Sequence, residues 1–353
     1  MTTTSEQVSE QSTRQVSKRV SQSVFDGSHL RVVLLVDVHD GAQQQFLEAY
    51  EQLGKQVAAV PGHISDQLCQ SIENPSQWLI TSEWESAPPF LAWVNSEEHV
   101  RMVKPLHSCV RDTRSLRFHI VRETGNGAPS AGRRLQVSPR IGDGVIRHAL
   151  TFTVKPGSEP EVARILADYA SPEAQVDETT RLLRTSLFMH GNRVVRAIEV
   201  RGDLLAALRH VAQQPEVRAV EEAINPYLEQ HRDLNDQESA RVFFTRAALP
   251  AVHHVTADEA AEGERHALHY QARPGSGMRL AELLAQGDVA AAEDAGGPIL
   301  RSTIYQRDDD VVRLIDVRAG QRPDLDPPAA LADLLTGSAV RMELITDRRS
   351  PGA

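Results

Sequence analysis

Chemistry-bearing residues concentrate between positions 66 and 107. All three tryptophans of the chain, Trp78, Trp84 and Trp93, lie there together with Cys69, His99 and His107. Glu73-Asn74-Pro75-Ser76 reads as a turn between two strand-like runs, residues 67–72 and 78–84. Side chains alternate along a strand, so Trp78, Ile80, Ser82 and Trp84 share one face. Two indoles on one face make a wide apolar wall with N–H donors at its edge. Histidine adds proton transfer near neutrality, where its unperturbed pKa lies. A packed core accounts for the tryptophans equally well, so the surrounding elements have to decide between wall and core.

Those elements form a regular unit. Residues 31–38 read as a strand rich in Val and Leu. Residues 43–60 read as a helix, with Phe46, Leu47, Tyr50, Leu53 and Val57 at helical spacing, broken by Pro61-Gly62. The two strands described above follow, then a helix over 89–103 stopped near Pro105. The unit ends on a strand over 115–122 with Leu116, Phe118 and Ile120 on one face. The order β-α-β-β-α-β implies an antiparallel sheet with both helices on one side.

The same unit recurs. Arg147-His148-Ala149-Leu150 returns as Arg265-His266-Ala267-Leu268, and residues 194–201 match 311–318 at an almost constant offset, which marks a duplication. In the second unit the helices fall at 159–169 and 204–227 and the last strand at 240–246. In the third the helices fall at 278–286 and 328–335 and the last strand at 339–346. The expected fold is α+β: three ferredoxin-like domains in tandem over 29–122, 145–248 and 264–347. A disordered tail is expected over 1–28, with linkers over 123–144 and 249–263. Trp78 and Trp84 become Val194 and Val200 in the second unit and Val311 and Val317 in the third, and His107 becomes Leu228. Valine would serve everywhere if these positions only filled a core. The polar-edged set therefore points to a pocket in the first unit.

The 353-residue chain carries a formal net charge of -10, which argues against a nucleic-acid partner. No apolar run is long enough for a signal peptide or a membrane span. Two cysteines, Cys69 and Cys109, have no metal or redox spacing, and a cytoplasmic, reducing location fits them. Metal ligation has little support: His253-His254 reads as linker, and His266 and His269 point to opposite faces of a strand. Asp308-Asp309-Asp310 reads as a solvated hairpin turn, and no phosphate-binding loop occurs.

With these residues in view, positions 30–122 resemble the antibiotic biosynthesis monooxygenase domain. The resemblance is carried by Val60-Pro61-Gly62, Trp84-Glu85-Ser86 and Asn95-Ser96-Glu97-Glu98-His99. Positions 145–346 resemble the SchA/CurD-like region of aromatic polyketide and spore-pigment clusters. The resemblance implies a cofactor-independent monooxygenase, with dioxygen as co-substrate and no metal or flavin. It would oxidise an anthrone-type intermediate of type II polyketide biosynthesis (pentangular polyphenol or spore pigment) to a quinone. A homodimer is expected, with polyketide cyclases as partners. Trp84 matches the family's tryptophan before Glu-Ser. Ile80 stands where the family has a catalytic asparagine, Phe90 where it has a tyrosine, and Lys104 near its arginine.

With those groups replaced, His107 is the expected base and His63 a second one. Gln70, Trp84 and Trp78 supply donors or walls, and Ile80, Phe90, Trp93 and Lys104 line the substrate. Structural roles stand beside these: a helix-end cap for His107, an exposed loop for His63 and helix core for Trp93. His99 is expected to face solvent or a partner. The second and third units are expected to pair their sheets within the chain, leaving the first to pair with another chain. The rival readings are a polyketide cyclase helper and a non-catalytic scaffold of a polyketide synthase complex.

Overall fold

The structure, a computed structural model, describes residues 20–123, 142–168, 171–257, 263–294, 296–321 and 329–350. The chain runs through β1 (Ser21–Ser23), β2 (Leu30–Val38), α1 (Gln43–Val57), β3 (His63–Gln70) and β4 (Gln77–Trp84). It continues through α2 (Ala87–Val94), α3 (Glu97–His107) and β5 (Val110–His119). From β2 to β5 the strands make a four-stranded antiparallel sheet in the order β3-β4-β2-β5. One face carries Val36, Val38 and Trp78 against Phe46 of α1 and Leu106 of α3, and Leu30, Val32 and Trp84 against Phe90 and Leu91 of α2.

The opposite face is open around Leu35, 43% exposed, and Phe118, 50% exposed, while Glu83 on the same face is buried against His29 and Arg31. Phe118 pairs with Arg31 and Leu116 with Val33, so the apolar side of β5 lies on this open face. Ser115, Arg117 and His119 take the helix-facing side instead.

The rest of the chain comprises β6 (Val145–Thr153), α4 (Glu159–Ala167), β7 (Arg181–His190), β8 (Arg193–Arg201), α5 (Leu204–Gln213), α6 (Pro215–Ile224), α7 (Gln237–Ala247) and β9 (Ala248–Thr256). Then come β10 (Gly263–Gln271), α8 (Gly277–Glu293), β11 (Ile299–Arg307), β12 (Asp310–Arg318) and β13 (Val340–Arg349). Eight strands follow one another as β9-β11-β12-β10-β13-β7-β8-β6, and a β6–β9 pairing closes the ring. This part of the chain is thus one antiparallel barrel rather than two separate ferredoxin-like domains. The reason lies in β9 and β13, which are shared. β9 pairs with β6 through 248–250 and with β11 through 251–256. β13 pairs with β10 through 340–342 and with β7 through 343–349.

Several expected elements are corrected. Residues 240–246 belong to α7, and the stretch from 249 that reads as linker is β9. The Asp236 side chain caps α7 by accepting the Glu238 N–H, and Phe243 and Phe244 flank the buried guanidinium of Arg232 at 4.6 and 5.4 Å. That packing overrides the strand propensity of the Val-Phe-Phe-Thr run. The second helix of the first unit is split into α2 and α3, with Pro105 inside α3. The helical run over 204–227 is split at Gln214-Pro215 and ends in a 3-10 turn, Asn225–Tyr227. The last helix of the third unit shrinks to a 3-10 segment, Ala329–Leu334.

Residues 20–28 are not a loose tail, because Val20 is buried and β1 pairs with β9. Residues 1–19 and most of the 123–144 linker lie outside the described residues. The acidic turn before β12 is more than solvated, since the Asp309 carboxylate accepts the N–H groups of Gly275, Ser276 and Gly277 at the start of α8. Among the described residues no helix is long and apolar enough to cross a membrane.

The duplicated tetrapeptide explains the barrel's interior. Its arginines point inward, where Arg265 donates to Asp316 at 2.7 Å and pairs with Glu199 at 2.7 Å. Arg184 bridges Asp316 at 2.9 Å and Asp347 at 2.6 Å, and Arg301 reaches Asp316 at 2.8 Å. Burial alone would raise the Asp316 carboxyl, but Arg265, then Arg184 and Arg301, hold it well below the usual carboxylate range.

Candidate functional site

The chemically distinctive region lies between the four-stranded sheet and the α2–α3 corner. The Pro61-Gly62 turn borders it. Gly62 has φ +82°, and a Cβ added there would sit 2.7 Å from Pro89 Cγ at the start of α2. The Gly62 carbonyl accepts the Glu85 N–H at 2.8 Å, which ties the turn to the end of β4. Gly62→Ala combines a left-handed backbone with a clash, so a loss of about 1–3 kcal/mol is expected in thermal or denaturant unfolding. An unchanged midpoint would contradict that packing.

Trp84, 0% exposed, stands at the centre of a ring cluster. It stacks on Trp93 with centroids 5.4 Å apart and planes inclined by 28°. Phe90 and His63 meet it edge-on at 5.3 and 5.1 Å. Its Nε1 donates to Ser82 Oγ at 3.0 Å. His99 meets the Trp93 ring edge-on at 4.3 Å, and the Arg117 guanidinium lies 5.3 Å from the centre of the Phe90 ring.

The Asn95-Ser96…His99 motif sets this geometry. Ser96 Oγ accepts the His99 N–H at 3.1 Å, capping α3, and donates to the Trp93 carbonyl at 2.7 Å. One hydroxyl thus fixes the two residues whose rings touch.

Among the described residues, three buried nitrogens in this cluster have no hydrogen-bond partner: Trp93 Nε1, His99 Nδ1 and His63 Nε2. His63 Nε2 lies 3.4 Å from the Asp66 carboxylate, within ion-pair reach but without hydrogen-bond geometry. Buried polar atoms are nearly always paired, so three orphans on one aromatic wall suit a ligand that brings its own oxygens. Burial, then the charges of His107 and Arg117, push the His99 imidazole down to about 4, so it is neutral at neutral pH. Burial, with Asp66 and Cys69, raises the nearby Tyr50 phenol to about 12 and keeps it protonated. Among the described residues no three His, Cys, Asp or Glu side chains converge as a metal site.

The structure brings together Trp84, Trp93, Phe90 and His63. Trp78 and Ile80 share their face of β4 but pack elsewhere, against Phe46 (5.4 Å from Trp78), Leu106 and Cys109. Gln70 lies opposite Trp78 at the far end of β3, exposed, and donates to the Pro75 carbonyl at 2.9 Å, so it serves the hairpin. His107 and Lys104 are exposed on the last turns of α3, where the charges of Glu238 and Arg241 on α7 reach them. α3 starts at the ring cluster and carries His107 to its far end, outside the cluster, although its charge still reaches His99.

His99 does not face solvent; it lies under Trp93. Arg117 was legible only through β5 alternation, where its polar face was masked by the more core-like Leu116-Phe118-Ile120 side.

The antibiotic biosynthesis monooxygenase family matches residues 30–105, and the SchA/CurD like domain matches residues 145–257. The chain is 64% identical over 318 residues to the 42.8 kDa protein in the whiE locus of Streptomyces coelicolor, across 90% of this chain and 78% of that protein. It is 59% identical over 366 residues to polyketide synthase CurD of Streptomyces cyaneus, across 95% and 98% of the two chains. Among solved structures, SnoaB, a cofactor-independent oxygenase from Streptomyces nogalater, is similar at a TM-score of 0.27 and 16% identity, over 28% of this chain and 99% of that chain.

Proposed function

Because the chain belongs to the SchA/CurD-like family and carries an antibiotic biosynthesis monooxygenase domain, we propose that it tailors an aromatic polyketide, oxidising an anthrone-type intermediate to a quinone with dioxygen. The observation that carries this reading is the buried aromatic wall edged by the orphaned nitrogens of Trp93, His99 and His63. A planar polyphenol fits between Trp84 and Trp93 by parting their stack, and its oxygens satisfy those nitrogens.

The chemistry needs little from the protein. Loss of a proton turns the anthrone into an electron-rich carbanion, which passes an electron to dioxygen. The two radicals combine to a hydroperoxide at the former methylene carbon. Loss of water then leaves the carbonyl, so CH2 and O2 become C=O and H2O. Neutral His99 is the proton acceptor in this scheme, with His63 on the other side of Trp84. Arg117 offsets the charge that develops on substrate or peroxide oxygen.

The open sheet face bearing Leu35 and Phe118 suits pairing with a second copy of the chain. Oxygen uptake by metal- and flavin-free protein given a simple anthrone tests the reading. Equimolar quinone formation that falls in Trp84→Phe is expected. Folded protein that consumes no oxygen with anthrones of several ring numbers would leave the cyclase-helper and scaffold readings.

A further inference from the structure

The ring cluster does not stand alone on its own domain. Trp84, Phe90 and Leu91 belong to one continuous apolar cluster with Val252 of β9 and Leu280 and Leu284 of α8, and Val24 and Phe25 pack against it. At the edge of that contact sits Arg307, the last residue of β11, whose side chain is 11% exposed. Its ion pair with Asp308 is long, at 3.8 Å. Its donors go to backbone carbonyls of three segments. These are Thr245 in α7, Ala248 at the start of β9 (3.2 Å), and Asn95 in the α2–α3 corner (3.3 Å). A second, exposed link runs beside it from Arg246 to Glu97 at 3.4 Å.

Asn95 lies between Trp93 and His99 and next to the Ser96 hydroxyl that joins them. A buried guanidinium is costly to desolvate, and its planar fork suits simultaneous contact with several carbonyls. We propose that Arg307 is a positioning residue for the oxidation site: the barrel, through this side chain, fixes the corner that sets Trp93 against Trp84 and His99 against Trp93. The two C-terminal repeats then act as the rigid support on which the first domain's site is assembled. This rests on the ring cluster being the oxidation site, and it adds the part of the chain that holds the cluster in register.

The stacked Trp84–Trp93 pair gives a readout independent of turnover, because two indoles at 5.4 Å couple optically and yield a paired circular-dichroism signal. Full-length Arg307→Ala and Arg307→Lys are compared with wild type for that signal and for oxygen uptake, with Trp93→Phe marking its complete loss. Arg307→Ala is expected to lose most of the coupling and about tenfold or more of kcat, with KM changed less, since small misplacements of reacting groups cost rate steeply. Arg307→Lys keeps the charge but not the fork, and should fall between. Wild-type coupling and kcat in Arg307→Ala overturn the proposal. If the alanine chain does not fold, the lysine chain decides: wild-type values in it overturn the proposal, and intermediate values support it. Should wild type consume no oxygen, the optical coupling alone decides, so the two readings fail separately.

Discussion

Asp316→Asn is expected to destabilise the barrel by about 3–5 kcal/mol, because removing one partner from a buried ionic cluster strands the others. Asp316 is 1% exposed and receives Arg265, Arg184 and Arg301 at 2.7 to 2.9 Å. An amide keeps the shape but cancels the charge and turns one acceptor into a donor aimed at guanidinium groups. Glu199 and Asp347 would then be left to face the buried Arg265 and Arg184. The loss would appear as a lower midpoint in denaturant, followed by far-UV circular dichroism. Tryptophan fluorescence is the less direct probe, since all three tryptophans lie in the first domain and only Trp84 and Trp93 pack into the cluster shared with the barrel. A variant whose midpoint matches wild type would mean that the cluster is solvated in solution and the barrel looser than described.

His99→Gln is expected to lower kcat by roughly 10²–10⁴-fold, the usual range for removing a positioned general base. The pH behaviour is more diagnostic. With the imidazole at about 4, the wild-type rate should stay flat across neutral pH and fall only as the pH approaches 4. The same shift acts on stability. A histidine whose folded pKa lies below its unfolded value near 6.5 favours the folded state fully above 6.5 and loses that contribution as pH drops toward 4. The amount at stake is on the order of 3 kcal/mol. His99→Gln removes this liability, so the variant should lose less stability than wild type between pH 6.5 and 4. His148, also held at about 4 by burial, remains as an acid-sensitive site in both. A rate profile breaking near 6.5 instead would assign the proton transfer to another group.

Much of this was legible because it rests on local chemistry. The repeated Arg-His-Ala-Leu announced a duplication, and its alternation put arginine and histidine on opposite faces, as the barrel has them. Pro61-Gly62 and Trp84-Glu85-Ser86 marked the site's frame, joined in space by the Glu85–Gly62 hydrogen bond. The failures have one cause, which is that a strand's buried side depends on its neighbours. Leu116 and Phe118 look like core, but register with β2 sends them to the open face and turns Arg117 toward the helices. Phe243 and Phe244 look like strand but sit on a capped helix around Arg232. His107 was singled out by residue type and by its replacement with Leu228 in the second unit, and the structure places it exposed at the far end of α3, apart from the ring cluster. Joining of the second and third units within the chain was expected, but closure into one barrel was not legible, because it depends on β9 and β13 each pairing across both repeats.

The barrel's two halves answer to different rules than two identical chains would. When two copies of one sequence meet about a two-fold axis, whatever residue i offers j, j must receive from i, and every improvement must suit both sides at once. Joined in one chain, the halves escape that constraint. Glu199 and Asp316 occupy matching places, yet Asp316 gathers three guanidinium groups, whereas Arg147, the counterpart of Arg265, turns to Asp143 at 2.5 Å. Tethering has let the interface become lopsided. The first domain's exposed sheet, if it meets its own copy, remains bound by the older rule: a substitution at Leu35 or Phe118 is felt on both sides of the axis, and a charge placed there meets itself.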